Sequence, residues 1–179
     1  MGTIFVAGTY GVGKSTLCHK LSKSLNIPDY SAGDLISAIN GEKYGRNKVV
    51  NNKGDNQKIL YLQVKKLLQT NPKIILAGHF CIFDADGNVD CLPSNIFYDL
   101  DIDTILLLEA PVAQIIKNLS IRDKKSYSEA QIFALQKSEM QKARGIAEQL
   151  KCSFYVHNMS FDEKDIFKCL SYIKGRNTI

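Results

Sequence analysis

Three clusters in this chain have residue types and spacing suited to phosphate chemistry. The first, Gly8-Thr9-Tyr10-Gly11-Val12-Gly13-Lys14-Ser15, fits G-x-x-x-x-G-K-[ST] in full. Glycines at these positions let successive backbone N–H groups turn toward phosphate oxygens, and a helix starting at Lys14 adds the positive end of its dipole. Gly8, Gly11, Val12, Gly13, Lys14, Ser15 and Thr16 are the expected contacts to a nucleoside triphosphate. Lys14 is expected at the β and γ phosphates, and the Ser15 hydroxyl on Mg²⁺. A dinucleotide fingerprint would need a further glycine at Thr16. The second cluster is Ser31, Gly33 and Asp34 in "DYSAGDLI", and the third is the basic residues Arg46, Lys48, Lys53, Arg122, Lys124 and Lys125 in polar segments.

The elements that must position these groups are legible as hydrophobic runs. Thr3 to Ala7, Ile74 to Ala77, Thr104 to Leu108 and the weaker Ser153 to His157 read as strands, the continuous ones as strands covered on both faces. Helical spacing is expected over Lys14 to Leu25, Asn56 to Gln69, Val112 to Leu119 behind Pro111, Ser128 to Leu150 and Glu163 to Lys174. This alternation implies a doubly wound α/β sheet with ligands at the carboxyl ends of its strands. Two polar segments, Asn40 to Asp55 and Phe83 to Asn95, are expected as long loops, functional or mobile.

Composition narrows the function classes. With 179 residues, 45% of them hydrophobic, the chain suits one domain over 1–179. A formal net charge of +5 favours anionic ligands without demanding nucleic acid. The five cysteines carry no CxxC pair, so neither a disulfide framework nor a zinc knuckle is suggested. No stretch approaches the ~20 apolar residues of a membrane span, and the start lacks a signal-peptide layout. A soluble, cytoplasmic protein with no membrane contact is expected.

The phosphate loop, the "SAGD" stretch and the order of elements resemble nucleoside monophosphate kinases of the adenylate kinase type. The run "GHFCIFDADGNVDCLPSNIFYDLDIDTILLLEAP" is similar to the short-lid archaeal members. The resemblance implies a three-layer P-loop NTPase fold with a mainly parallel five-stranded sheet, an acceptor-binding segment at about 31–70 and a short lid at about 120–130. It also implies ATP and Mg²⁺ as the donor pair. Ser31 and Gly33 would line the acceptor pocket, Asp34 would sit near the metal and its waters, and His79 would face the same crevice. The alternative for Ser31 and Asp34 is that they cap the next helix, and for His79 a buried, hydrogen-bonded structural role. "LSIRDKKSYSEAQI" resembles the lid, making Arg122 the group expected to stabilise the transferring phosphoryl, with Arg144 reaching in from the next helix. For the acceptor phosphate Arg46 is the expected clamp, because its planar fork suits phosphate better than an ammonium does.

Two positions depart from that family's pattern. Ala77 stands two residues before His79, where an Asp normally holds water on Mg²⁺, and Ser37 replaces an acceptor-gripping Arg. The expected activity is transfer of the γ-phosphoryl group from ATP to a small acceptor, foremost a nucleoside monophosphate such as AMP. Two alternatives stay open: an adenylate-kinase-like ATPase switch working with an RNA or protein partner, and a weakly catalytic nucleotide-binding regulator.

Overall fold

The computed structural model describes residues 2–41, 53–123 and 127–175. Arg46, Lys48, Lys124 and Lys125 lie outside them, as does the side chain of Lys53.

Five parallel strands form the central sheet: β1 (Gly2–Gly8), β2 (Asp29–Ser31), β3 (Lys73–Ala77), β6 (Ile102–Glu109) and β7 (Ser153–Asn158), in the spatial order β2-β3-β1-β6-β7. The expected α/β sheet is therefore present, with β1 at its centre. All seven residues of β1 are buried, which is why this strand reads as an unbroken apolar run. The chain leaves β1 toward β2 and β3 on one side and later returns to β6 and β7 on the other. This reversal opens a crevice at the carboxyl end of β1, the position where open α/β sheets bind ligands.

Helices α1 (Lys14–Leu25), α2 (Ala32–Asn40), α3 (Lys53–Thr70), α5 (Val112–Asp123), α6 (Glu129–Leu150) and α7 (Lys164–Lys174) connect the strands. Among the described residues, no helix is long and apolar enough to cross a membrane.

Two expectations need correction. The segment from Phe83 to Asn95 is not a plain loop: β4 (Cys81–Phe83) and β5 (Val89–Cys91) pair as an antiparallel hairpin, followed by the short helix α4 (Asn95–Tyr98). Asp84 closes the hairpin turn, its Oδ1 accepting from the backbone N–H groups of Asp86 and Asn88 at 2.9 and 2.8 Å. Helix α5 also runs on to Asp123. Arg122 thus sits on the last turn of α5, and no glycine or proline interrupts residues 120 to 123.

Candidate active site

The phosphate loop follows β1 directly. Gly8, Gly11 and Gly13 have φ values of 139°, 76° and 99°, a region that side chains with a Cβ rarely adopt. Gly11 also has no room for one: a Cβ there would lie 2.8 Å from Leu119 Cγ and 3.2 Å from the Ile115 carbonyl oxygen. Helix α5 holds the loop from the same side, with Asn118 Nδ2 donating to the Gly11 carbonyl at 2.9 Å. Lys14 Nζ donates to the carbonyls of Gly8 and Thr9 at 2.6 and 2.8 Å. These oxygens occupy an ammonium whose donors suit phosphate oxygens equally well.

Ser15 and Thr16 are exposed on the first turn of α1, and both line a cleft of about 670 Å³ at the crevice. Gly11, Gly13, Lys14, Ser31, Gly33, Asp34, His79 and Arg122 line the same cleft, so it brings most of the expected site residues together. Gly8 and Val12 do not line it. Val12 is fully buried, and Gly8 contributes its carbonyl to Lys14. Arg144 lies exposed on α6 away from the cleft, one residue beyond the buried Ala143. Arg46, expected at the acceptor phosphate, is outside the described residues.

Ser31 caps α2, its Oγ accepting from Asp34 N–H at 3.4 Å, and it also lines the cleft. Asp34 stands in the first turn of α2, where a carboxylate favours the helix dipole. Ala77 is 8% exposed at the end of β3 and lines the cleft without a carboxylate. Gly78 follows it because a Cβ at that point would lie 2.6 Å from the Phe5 ring.

The side chain that sequence reasoning missed is Glu139. It is 1% exposed on α6, with Oε1 3.2 Å from His79 Nδ1 and Oε2 accepting from Phe80 N–H at 3.0 Å. Burial pushes its carboxyl up to about 7, while Lys14 and the backbone N–H groups of Phe80 and Cys81 pull it partly back. Tyr10 of the phosphate loop packs on the other face of this arrangement, its ring 4.4 Å from that of His79. The signal was present: Glu139 falls on the stripe Ile132, Leu135, Ala143, Ile146 that α6 buries.

On the opposite side, the turn between β7 and α7 packs against the phosphate loop. The buried Asp165 organises it: Oδ1 lies 2.8 Å from His157 Nε2 and accepts from Ser160 N–H at 2.9 Å, and Oδ2 accepts from Phe161 N–H at 2.7 Å. Burial alone would raise this carboxyl, but the bonds from Ser160, His157 and Phe161 together hold it below its ordinary range. Met159 and Phe161 from this turn come within 3.2 and 3.6 Å of the space beside Gly13. They form an apolar wall next to the phosphate loop.

The chain matches the family model described as an AAA domain over residues 7–136, a span that takes in the phosphate loop, β3 and β6. The chain belongs to this AAA-domain family of P-loop NTPases. Its fold is that of small P-loop kinases. Solved structures similar to it include a shikimate kinase from Bacteroides thetaiotaomicron, 15% identical with a TM-score of 0.62, covering 99% of each chain. A second shikimate kinase, from Acinetobacter baumannii in complex with shikimate, is 14% identical with a TM-score of 0.63, covering 100% of this chain and 96% of that one. A gluconokinase from Sinorhizobium meliloti 1021 is 10% identical with a TM-score of 0.60, covering 98% and 93%. No curated protein matches the chain. The structural neighbours thus include shikimate kinases and a gluconokinase, and the family match carries no adenylate kinase specificity.

Proposed function

We propose that this P-loop protein transfers the γ-phosphoryl group of ATP to a small acceptor, a nucleoside monophosphate such as AMP being the foremost candidate. The observation that carries the reading is the continuity of the cleft: it runs from Lys14 and Ser15 at the phosphate loop to Ser31, Gly33 and Asp34 on α2. Donor and acceptor ends would share one cavity, as in-line transfer requires. Lys14 exchanges the Gly8 and Thr9 carbonyls for phosphate oxygens, and Arg122 brings a second cation to the transferring group. Met159 and Phe161 offer an apolar surface to the donor's base.

Ser15 and Asp34, both lining the cleft, are the groups that fit a Mg²⁺-bound triphosphate, and the metal would neutralise charge developing on the β and γ oxygens. Among the described residues, no group of three or more His, Cys, Asp or Glu side chains forms a metal cage of its own. This suits an ion held chiefly by phosphate oxygens and water. A second reading, a nucleotide-binding regulator with slow turnover, is favoured by one observation only, the apolar Ala77 at the end of β3. Mass spectrometry of an acceptor panel incubated with Mg-ATP separates the two. The kinase reading expects one acceptor to gain a single phosphoryl group, and ADP without any phosphorylated acceptor would contradict it.

A further inference from the structure

Asn56 is a buried amide with one end unused. It stands in the first turn of α3, is 5% exposed and lines the cleft. Its Oδ1 accepts from Asn40 Nδ2 at 2.9 Å, which fixes the orientation of the amide. Among the described residues its Nδ2 has no hydrogen-bond partner. A buried donor left unpaired costs ~1–3 kcal/mol, so its retention beside a ligand cleft calls for a ligand atom.

The surroundings restrict that ligand. Leu60, Ile82, Leu92, Ile96 and Phe97 supply apolar walls to the cleft away from the phosphate loop. The lysines and arginine among its described lining residues are Lys14, Lys20 and Arg122, which belong to α1 and α5. None of the described lining residues on α2, α3 or the β4–β5 hairpin is a lysine or arginine. A flat, uncharged ring with a carbonyl or ring nitrogen would bury its faces on these walls and accept one bond.

We propose that Asn56 is the residue that selects the acceptor, its Nδ2 donating to a carbonyl or ring nitrogen on an uncharged heteroaromatic ring, the ring class of nucleobases. This deepens the phosphotransferase reading and rests on it for the chemistry that follows binding. Asn40 acts as a positioning residue by holding the amide in the donating orientation. A site built around a buried donor rejects ligands lacking the matching acceptor, because binding them leaves the donor unpaired.

The test is calorimetric titration of the full chain with adenosine, inosine, cytidine and uridine, their monophosphates, shikimate and gluconate, with ATP titrated separately. At least one nucleoside or its monophosphate is expected to bind. Asn56→Leu should weaken that ligand about 10-fold or more with ATP affinity unchanged, as expected for one lost bond. Asn56→Asp, which replaces the donor by an acceptor, should change the order of preference among the four rings, a readout that mere loosening of α3 would not give. It also stands in should Asn56→Leu not fold. Binding of shikimate or gluconate in preference to every nucleoside, or an unchanged ring preference in Asn56→Asp, would overturn the inference. Failure of the wild-type chain to bind ATP would instead strike at the phosphate-loop reading, so the two failures are distinguishable.

Discussion

His79 Nδ1 and Glu139 Oε1 lie 3.2 Å apart, joining the end of β3 to the middle of α6 behind the ligand cleft. The carboxylate is buried and its other oxygen is held by Phe80 N–H, so the contact fixes the ring that Tyr10 covers from the phosphate loop. Where β3 ends in Ala77 and offers no acid, α6 supplies one a layer further back.

This placement ties stability to pH. Unfolded, Glu139 titrates at its ordinary 4.5; folded, burial lifts it to about 7. The fold therefore favours the protonated form, and that contribution is full below about pH 4.5 and lost as the pH rises through about 7. Glu139→Gln keeps the shape and removes the titration. Urea midpoints measured from pH 4.5 to 8 should fall less steeply in Glu139→Gln than in the wild type; parallel curves would show that Glu139 does not titrate in this window.

Lys14 Nζ donates to the carbonyls of Gly8 and Thr9, so its replacement is followed for fold and chemistry together. Lys14→Ala should lower turnover by roughly 10²–10³, the cost of removing one preorganised cation from a transferring phosphoryl group. Steady-state ADP formation beside a thermal melt checks it. Wild-type turnover in the variant would remove the lysine from the chemistry.

Gly11→Ala combines a strained φ of 76° with a Cβ placed 2.8 Å from Leu119 Cγ. A loss of about 1–3 kcal/mol is expected from strain and overpacking together. Gly41→Ala, at a φ of 70° with nothing within 4 Å among the described residues, isolates the strain part. Denaturant unfolding should show Gly11→Ala as the more damaging; equal losses would mean that α5 does not clasp the loop.

Ala77→Asp places a carboxylate where β3 meets the cleft. The Mg²⁺ concentration for half-maximal turnover should fall and turnover should rise, with ATP affinity unchanged, at some cost in stability because the site is buried. An unaltered Mg²⁺ dependence would mean that the metal is already served by Asp34 or another group.

How far the sequence reveals this molecule depends on how each residue is used. β1, β3 and β6 are covered on both faces, and that leaves apolar runs no other element imitates. The β4–β5 hairpin escapes notice because its strands have three residues each, with Val89 to Cys91 half-buried or exposed, and an acidic turn between them. The phosphate loop is legible because its spacing is fixed by backbone geometry and not by packing. Glu139 shows in the sequence only as a polar residue on the apolar stripe of α6, and Asn56 looks like an ordinary polar residue of an amphipathic helix; the facing elements set the partners of each. The reach of α5 to Asp123, which carries Arg122 on its last turn, is not legible, because helix ends carry weak signals where no glycine or proline stops them.

The central claim is that one cleft holds donor and acceptor together, and the rate of ADP release from Mg-ATP as acceptor concentration is raised tests it most directly. The account expects a saturable rise of at least about 10-fold with one nucleoside or nucleoside monophosphate, as a bound acceptor replaces slow attack by water. ADP release that is the same at every concentration of every acceptor would contradict it.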